Sequence, residues 1–417
     1  MVPLIRRHRY LLASLFFIIL VVPTLNNLPY GDDNVFVFES YLQDVPSIFN
    51  FWDPYSNFFR SWPLSFSVFS LLLKGFGKNI FVFRLVNALL HILNAYIFKK
   101  TISHWRPDAT SREKYLIFAL FLFHPIALIT VNWVFQLKTL LCMTFTLLAL
   151  LFFEKGKSEK SLRNGLIVIG LFTFALSSKI ASVLFPFYAL MRWKSWKNKM
   201  ALSLLTLSLF AMSAFAGLVN LKGINSFIQE KTTSVKQVTD YGESFEKVAL
   251  EPTFRPSSYY QTDLGHQLLD SAAQLSKQFQ NLESIKLKMI ISVFTLGRYI
   301  NSSLGINKYA LVYEPTWASL TPGLVECFIG VTFIFLLIFA SRKNWKELGL
   351  CLLFFLPISG LFYVPYMKFS YIADHLFYLS LPFLLSAVVI GKNYTFKSVL
   401  AVVIFSQFLF STYDFRT

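Results

Sequence analysis

The sequence predicts an all-α polytopic membrane protein, with about 11 transmembrane helices and two longer external loops in one membrane domain covering residues 1–417. Three observations support this fold class. Of the 417 residues, 55% are hydrophobic and only 15% are charged. The apolar residues also form runs that approach the roughly 20 residues a helix needs to cross a bilayer. A soluble domain would carry more charge, and a disordered chain would be far less apolar.

The first predicted span covers residues 10–25 and follows Arg6, Arg7 and Arg9. This order resembles the start of a signal peptide, but no small-residue cleavage site follows, so we expect an uncleaved span. Ten further spans follow from the apolar runs at residues 80–98, 115–131, 134–153, 165–179, 180–191, 201–221, 322–340, 348–364, 372–390 and 399–412.

The orientation follows from the basic residues, which exceed the acidic ones by 39 to 22 and give a net charge of +17. More than half of them fall in short loops that all lie inside if the N-terminus is cytoplasmic, as the positive-inside rule requires. They punctuate apolar runs and form no separate basic domain, which argues against nucleic-acid binding. These clusters are at residues 6–9, 99–114, 155–163, 192–199, 342–346 and 392–397.

Two long segments are then external. Residues 26–79 hold an acidic pair and a predicted surface helix at 63–73, before a glycine-containing break. Residues 222–321 include an apolar stretch at 287–304. A full crossing there would place Arg342, Lys343 and Lys346 outside, so we expect an interfacial or re-entrant helix.

The sharpest local feature is the pair Asp32 and Asp33, directly after the first span. Adjacent carboxylates repel each other, and this repulsion favours a proton on one of them, which suits a general base. A plain polar cap after a span is the alternative. Carboxylates could also bind a metal ion, but no third ligand is identifiable, and we expect neither a metal nor another cofactor.

Cationic side chains that interrupt the apolar runs form the second candidate set. A charge near a span usually faces a polar cavity or a partner, although a long side chain can also snorkel to the interface. Snorkelling is the expectation for Arg84. Cations beside an acidic pair suit a base acting near a bound phosphate. The cations expected at the outer face are Arg60, Lys138, Lys179, Arg298, Lys368 and His375.

Other chemistries find little support. His91, His124 and His266 lack metal-ligand spacing, and a structural role is expected for His124. Cys142, Cys327 and Cys351 all lie in apolar runs and read as small core residues. The absence of a phosphate-binding glycine loop and of a nucleophile elbow argues against a nucleotide-driven pump or a serine hydrolase.

These residues, in this order, resemble the GT-C glycosyltransferases, and among them the transmembrane tetratricopeptide-repeat O-mannosyltransferases. The chain departs from the family pattern at Leu137, Ile180 and His375, where the family tends to have Arg, Glu and Arg, and it has no repeats after the last span. The similarity rests on Asp32 and Asp33, residues 60–66, residues 85–91, His124 and Pro125 with Val131–Trp133 and Lys138, residues 176–179, Arg298 and Tyr299, Leu356 and Pro357, and residues 373–379.

The resemblance implies inverting transfer of a sugar from a polyprenyl-phosphate carrier to an acceptor hydroxyl on a protein, glycan or lipid. It implies Asp32 as general base and Asp33 as an orienting group. Arg60, Lys138, Lys179, Arg298 and His375 are implied as contacts to the donor phosphate. The compact chain without repeats favours a multi-pass protein of a bacterial inner membrane, with its site on the periplasmic side.

Three alternatives remain open from the sequence. A flippase or transporter of lipid-linked saccharides would also have many spans and buried cations, but inverted repeats are not detectable. A polymerase or ligase of surface polysaccharide would concentrate Arg and His in the late loop, where only Arg255 and His266 occur. A structural scaffold is the third alternative.

Overall fold

The computed structural model describes residues 2–29, 33, 37–38, 42, 45–53, 62–159, 162–191, 202–216, 285–303, 328–332, 345–361, 374–391 and 394–414. Within these ranges every regular element is a helix and there is no strand, which confirms the all-α class. Thirteen α-helices carry the description: α1 Val2–Val21, α2 Pro63–Phe76, α3 Ile80–Trp105, α4 Ser111–Leu122, α5 Pro125–Asn132, α6 Leu137–Glu159, α7 Leu162–Ser178, α8 Phe185–Met191, α9 Leu202–Ala216, α10 Ile285–Ser303, α11 Trp345–Phe355, α12 Leu381–Val389 and α13 Tyr394–Asp414.

Two of the described segments are long and apolar enough to cross a bilayer. They are α3 and the segment Val134–Gly156, which joins a short 3-10 turn to most of α6. The pair α4 and α5, bent by 45° at a short break, becomes a third if it counts as one span. These helices are compatible with a membrane protein, whereas the total of about 11 spans stays a prediction.

Several predicted spans are interrupted. The predicted span 115–131 divides at His124, where the side chain accepts a hydrogen bond from the backbone N–H of Ile126 and Pro125 begins the next helix. The predicted span 372–390 divides into a 3-10 helix, Asp374–Leu379, followed by α12. Such breaks free backbone groups, and in a membrane they are tolerated only where protein or a water-filled cavity surrounds them.

The predicted surface helix at 63–73 forms α2 and runs three residues further, to Phe76. It ends at Gly77, whose φ of 60° suits a residue without a Cβ. The Phe69 ring of α2 lies 6.5 Å from the Phe83 ring and 6.1 Å from the Phe135 ring, between centroids. The helix therefore packs into an aromatic cluster beside the starts of α3 and α6. The stretch expected to be interfacial forms a continuous helix, α10.

The helices α3, α6 and α7 form the centre of the described bundle, and α6 packs along both of its neighbours. Helix α3 has 26 residues and is therefore about 39 Å long at 1.5 Å per residue. It joins two ends of the bundle. The Asp33 end is defined by Asp33, Trp133, Lys138, Lys179 and His375, and the Arg106 end by Arg9, Arg106, Glu113, Glu347 and Lys397.

Candidate functional site

The carboxylate of Asp33 caps the start of the helical segment that leads into α6. Its Oδ1 accepts a hydrogen bond of 2.8 Å from the backbone N–H of Phe135, and its Oδ2 accepts one of 3.4 Å from that of Val134. The first N–H groups of a helix have no partner within the helix, so they bind an anion readily. Asp33 is fully buried. The structure thus shows a buried carboxylate held by two backbone N–H groups.

The turn that Asp33 caps is held from two other helices. The Asn87 amide of α3 donates to the carbonyl oxygens of Val131 and Trp133, at 3.2 and 3.1 Å. The Thr24 hydroxyl, at the end of α1, donates to the Asn132 side chain at 2.9 Å. Because a break in an apolar helix exposes carbonyl groups, these bonds stabilise the turn in its non-helical form.

Lys138 lies in the first turn of α6 and is only 7% exposed. Its Nζ lies 3.3 Å from the centroid of the Phe135 ring and 4.0 Å from that of Trp62. The negative face of an aromatic ring attracts a cation, most strongly where water is excluded. The two rings therefore hold the ammonium group next to the turn that Asp33 caps.

Lys179 occupies the break between α7 and the following 3-10 turn. Its Nζ donates to the Thr139 hydroxyl at 2.8 Å, and this hydroxyl donates to the Gln136 side chain at 2.6 Å. The break itself is held where Ser65 of α2 donates to the Ser178 carbonyl at 3.0 Å. Lys179 thus reaches the first turn of α6, the same turn that carries Lys138.

His375 completes the cluster from the 3-10 helix before α12. Its ring lies 4.5 Å from the Trp133 ring, in an edge-to-face arrangement, and the residue is 2% exposed. Lys138 and Lys179 both act electrostatically on this ring. The three nitrogen-bearing side chains therefore share one region, although they are far apart in sequence.

A buried polar network fixes the 3-10 helix that carries His375. The Tyr378 hydroxyl donates to His91 Nδ1 at 2.7 Å, and His91 Nε2 donates to the Leu122 carbonyl at 3.1 Å. The Asn94 amide lies 3.5 Å from the same hydroxyl and donates to the Leu140 carbonyl at 3.1 Å. His91 is thus a structural link between α3, the end of α4 and this 3-10 helix.

Arg298 lies on α10, and the other predicted residues have different placements. Its neighbour Tyr299 stacks on Phe377, with the centroids 5.1 Å apart, so α10 packs against the 3-10 helix that carries His375. Asp32, Arg60 and Lys368 lie outside the described residues. Of the predicted set, the structure thus brings together Asp33, Lys138, Lys179 and His375.

Arg84 does not snorkel, in contrast to the expectation. It is fully buried, and its guanidinium group donates to the carbonyl oxygens of Leu25, Asn27 and Leu28 at 3.3, 2.7 and 2.9 Å. These carbonyls follow the end of α1, where carbonyl groups need partners outside the helix. Arg84 therefore fixes the direction in which the chain leaves α1 towards Asp33.

Sequence reasoning missed the neutral members of the cluster. Gln136, Thr139 and Asn94 are at most 2% exposed, and each bonds a residue of the site or its support. Their signal is a polar side chain inside an apolar helix, which is costly unless it has a hydrogen-bond partner. Leu137, where the related family tends to have Arg, is buried in the aromatic cluster.

The arrangement is suited to holding an anion. Among the described side chains, this region holds the two ammonium groups of Lys138 and Lys179 and the carboxylate of Asp33, largely shielded from water. Charge-assisted hydrogen bonds to phosphate are strong in such a region. Within the described part of the chain, no three His, Cys, Asp or Glu side chains group closely enough to hold a metal ion.

Compared with protein-family models, with curated proteins and with solved structures, the chain shows no significant match. The family resemblance therefore stays a prediction.

Proposed function

We propose that the chain is a membrane glycosyltransferase of the GT-C type. It transfers a sugar from a polyprenyl-phosphate-linked donor to an acceptor hydroxyl on the outer face of a bacterial inner membrane, within a fold of about 11 spans. The observation that carries this proposal is the meeting of Lys138, Lys179 and His375 beside the carboxylate of Asp33, at one end of the helical bundle.

The proposed reaction is a single displacement at the anomeric carbon of the donor sugar. Asp32 takes the proton of the acceptor hydroxyl as its oxygen forms a bond to this carbon. The bond between the carbon and the phosphate oxygen breaks, and its electron pair leaves with polyprenyl phosphate. Attack from the face opposite the leaving group inverts the anomeric configuration.

The cations assist the leaving group in this mechanism. Negative charge grows on the phosphate as the bond breaks, so fixed positive groups lower the barrier more than they strengthen substrate binding. The Nζ of Lys179 is held by the Thr139 hydroxyl, and that of Lys138 by two rings, so both groups are oriented before the substrate arrives. Arg60 and Arg298 are proposed as further phosphate contacts.

The two carboxylates take different roles. The oxygens of Asp33 accept backbone hydrogen bonds, which supports a positioning role and leaves the proton transfer to Asp32. The polyprenyl chain of the donor is itself a lipid and can enter laterally from the bilayer. This agrees with a site built on breaks in apolar helices.

The test measures release of polyprenyl phosphate from labelled polyprenyl-phosphate hexoses by the full chain in lipid nanodiscs, with glycan, peptide and lipid acceptors. We expect Lys138→Gln and Lys179→Gln to lower the turnover by about a hundredfold or more, the scale found for one lost electrostatic contact to a transition state. Lys78→Gln is the matched control because Lys78 is exposed and precedes α3 at the same end of the bundle.

Full turnover by both Lys138→Gln and Lys179→Gln would contradict the proposed phosphate site. Full turnover by both Asp32→Asn and Asp33→Asn would contradict the roles of the acidic pair. If donor crosses the membrane of a proteoliposome with no sugar released, the chain is a flippase. If one acceptor receives a long polymer, the chain is a polysaccharide polymerase.

A further inference from the structure

The Arg106 end carries a second concentration of positive charge, and this one is centred on an aromatic ring. The guanidinium carbon of Arg9 lies 5.1 Å from the centroid of the Tyr10 ring, and the Nζ of Lys99 lies 4.7 Å from the same centroid. Arg9 also lies 4.9 Å from the Tyr115 ring. We call Arg9, Tyr10, Lys99 and Tyr115 the Tyr10 platform.

The platform is tied to the fold on both sides. The Tyr10 ring packs edge-to-face on the rings of Tyr115 and Phe118, with centroids 5.5 and 5.0 Å away. The Nη2 of Arg9 donates to the Ser111 hydroxyl at 2.6 Å and to its carbonyl at 3.1 Å. Helix α1 is thereby joined to the start of α4, and the guanidinium group has a defined position.

Among the described residues, no acidic side chain forms a salt bridge with the positive charges of the platform. Lys100, Arg9 and Lys114 all act repulsively on the Lys99 ammonium group. In the described ranges, no salt bridge includes Arg9, Lys99 or Lys114. The carboxylate of Glu113 forms its salt bridge with Lys397. Repulsion among like charges is destabilising, and a bound anion would reduce it.

An apolar surface begins next to the platform. Leu12, Leu15, Phe16 and Ile19 follow Arg9 on α1 at helical spacing, and each is at least 45% exposed. Cationic and tyrosine side chains at the end of an apolar helical stripe match the headgroup and acyl-chain regions of a bilayer. A small soluble anion would use the charges but would have no use for this stripe.

We propose that the Tyr10 platform binds the phosphate of an anionic phospholipid, whose acyl chains lie along the exposed stripe of α1. Arg9 and Lys99 contact the phosphate oxygens, and Lys100 and Lys114 add long-range attraction. The site lies at the end of the bundle opposite Asp33, and it does not depend on the proposed glycosyl transfer. It would make the lipid composition of the membrane a factor in the stability of the fold.

The test compares binding of phosphatidylglycerol and phosphatidylcholine with identical acyl chains, by native mass spectrometry of the full chain in detergent. We expect phosphatidylglycerol to bind at least about tenfold more tightly, because Arg9 and Lys99 each attract the net negative charge of its headgroup. The double variant Arg9→Gln, Lys99→Gln should lose this preference. Arg9→Lys, which keeps the charge, should retain most of it.

Arg163→Gln is the matched control because Arg163 is an exposed cation at the start of α7, outside the platform. Equal binding of the two lipids by the unmodified chain would overturn the proposal. So would an unchanged preference in the double variant, or a loss of preference in Arg163→Gln as large as in the double variant. If millimolar inorganic phosphate displaces phosphatidylglycerol completely, the platform is a site for free phosphate, and the assignment to a lipid is wrong.

Discussion

The two ends of the helical bundle hold their buried charges in different ways. At the Arg106 end, opposite charges meet directly: Arg106 pairs with Glu347 at 2.7 Å, and Lys397 pairs with Glu113 at 2.7 Å. At the Asp33 end, Lys138 lies over two rings, Lys179 donates to a hydroxyl, and Asp33 accepts from backbone N–H groups. Arg106 and Lys397 are thus held by ion pairs, whereas Lys138, Lys179 and Asp33 contact rings, a hydroxyl and backbone dipoles.

The difference separates stability from binding capacity. An ammonium group that is paired with a carboxylate has its charge cancelled, whereas one held by an aromatic ring or a hydroxyl keeps nearly all of its charge for a further anion. Lys179, which donates to a hydroxyl, is therefore suited to contact an anionic substrate, and the ion pairs of Arg106 and Lys397 are suited to joining helices. Substitutions at the two ends should accordingly change different quantities.

The largest effect on stability is expected from Arg106→Gln. Glu347 is 1% exposed, and removal of its partner leaves a buried carboxylate without compensation, which typically costs about 3 to 5 kcal/mol. Reversible unfolding in mixed micelles measures the change. Asp108→Asn is the matched control, because Asp108 also pairs with Arg106 but its side chain is 47% exposed. We expect that change to cost less than about 1 kcal/mol.

A cycle with Glu347→Gln makes this prediction sharper. The double variant Arg106→Gln, Glu347→Gln should be more stable than Arg106→Gln alone, because no buried charge is then left without a partner. If Arg106→Gln lowers the free energy of unfolding no more than Asp108→Asn does, the Arg106–Glu347 ion pair does not stabilise the fold.

The next effect on stability depends on pH and concerns the carboxyl group of Glu113. This residue lies in the first turn of α4, ahead of the predicted span that begins at Tyr115. Burial alone would raise the pKa of this carboxyl group. The hydrogen bonds from Lys397, the Gly391 backbone and Thr110 outweigh burial and lower the pKa to about 2, from 4.5. A lowered pKa means that the unfolded chain binds the proton more tightly, so this contribution is complete above about pH 5 and is lost as the pH falls towards 2.

The measurement is the free energy of unfolding of the unmodified chain and of Glu113→Gln at pH 7, 5, 4 and 3. We expect a difference of at most about 3 kcal/mol at neutral pH, which shrinks as the pH falls. Other carboxyl groups titrate in both proteins and cancel in the difference. A difference that stays constant from pH 7 to pH 3 would show that Glu113 is not stabilised as a carboxylate.

The helical class and many helix positions follow directly from the sequence. The apolar run from residue 80 predicts α3 correctly at its start, because Ile80 follows the break at Gly77, and the structure extends the helix from the predicted Phe98 to Trp105. The breaks after Val131 and at Lys179 also fall where apolar runs were divided. The sequence did not predict the helix break at His124, because the residues on both sides of it are apolar and form one continuous run.

The candidate site is predictable only in part. A charge inside an apolar run stands out, so Asp33, Lys138, Lys179 and His375 could be selected from sequence alone. Their partners could not, because Thr139 and Gln136 are common residue types whose role depends on which helix faces them. The same limit applies to Trp62, whose contact with Lys138 joins residues 76 positions apart in the chain.

The smallest effect is expected where a ring holds a charge, and it tests how the Asp33 end works. Trp62→Leu removes one of the two rings over Lys138 and also some aromatic packing against Phe66 and Phe135. The cation–π contribution is isolated by repeating the substitution in a Lys138→Met background. We expect a coupling free energy of about 1 kcal/mol between the two positions.

The sign of this coupling free energy shows whether the Trp62 ring stabilises the Lys138 ammonium group. If Trp62→Leu destabilises the unmodified chain by about 1 kcal/mol more than it destabilises Lys138→Met, the ring stabilises the ammonium group. Raised salt should change this coupling little, because the Lys138 ammonium group is shielded from solvent ions. A coupling near zero would mean that Trp62 acts only through packing and does not stabilise the Lys138 ammonium group.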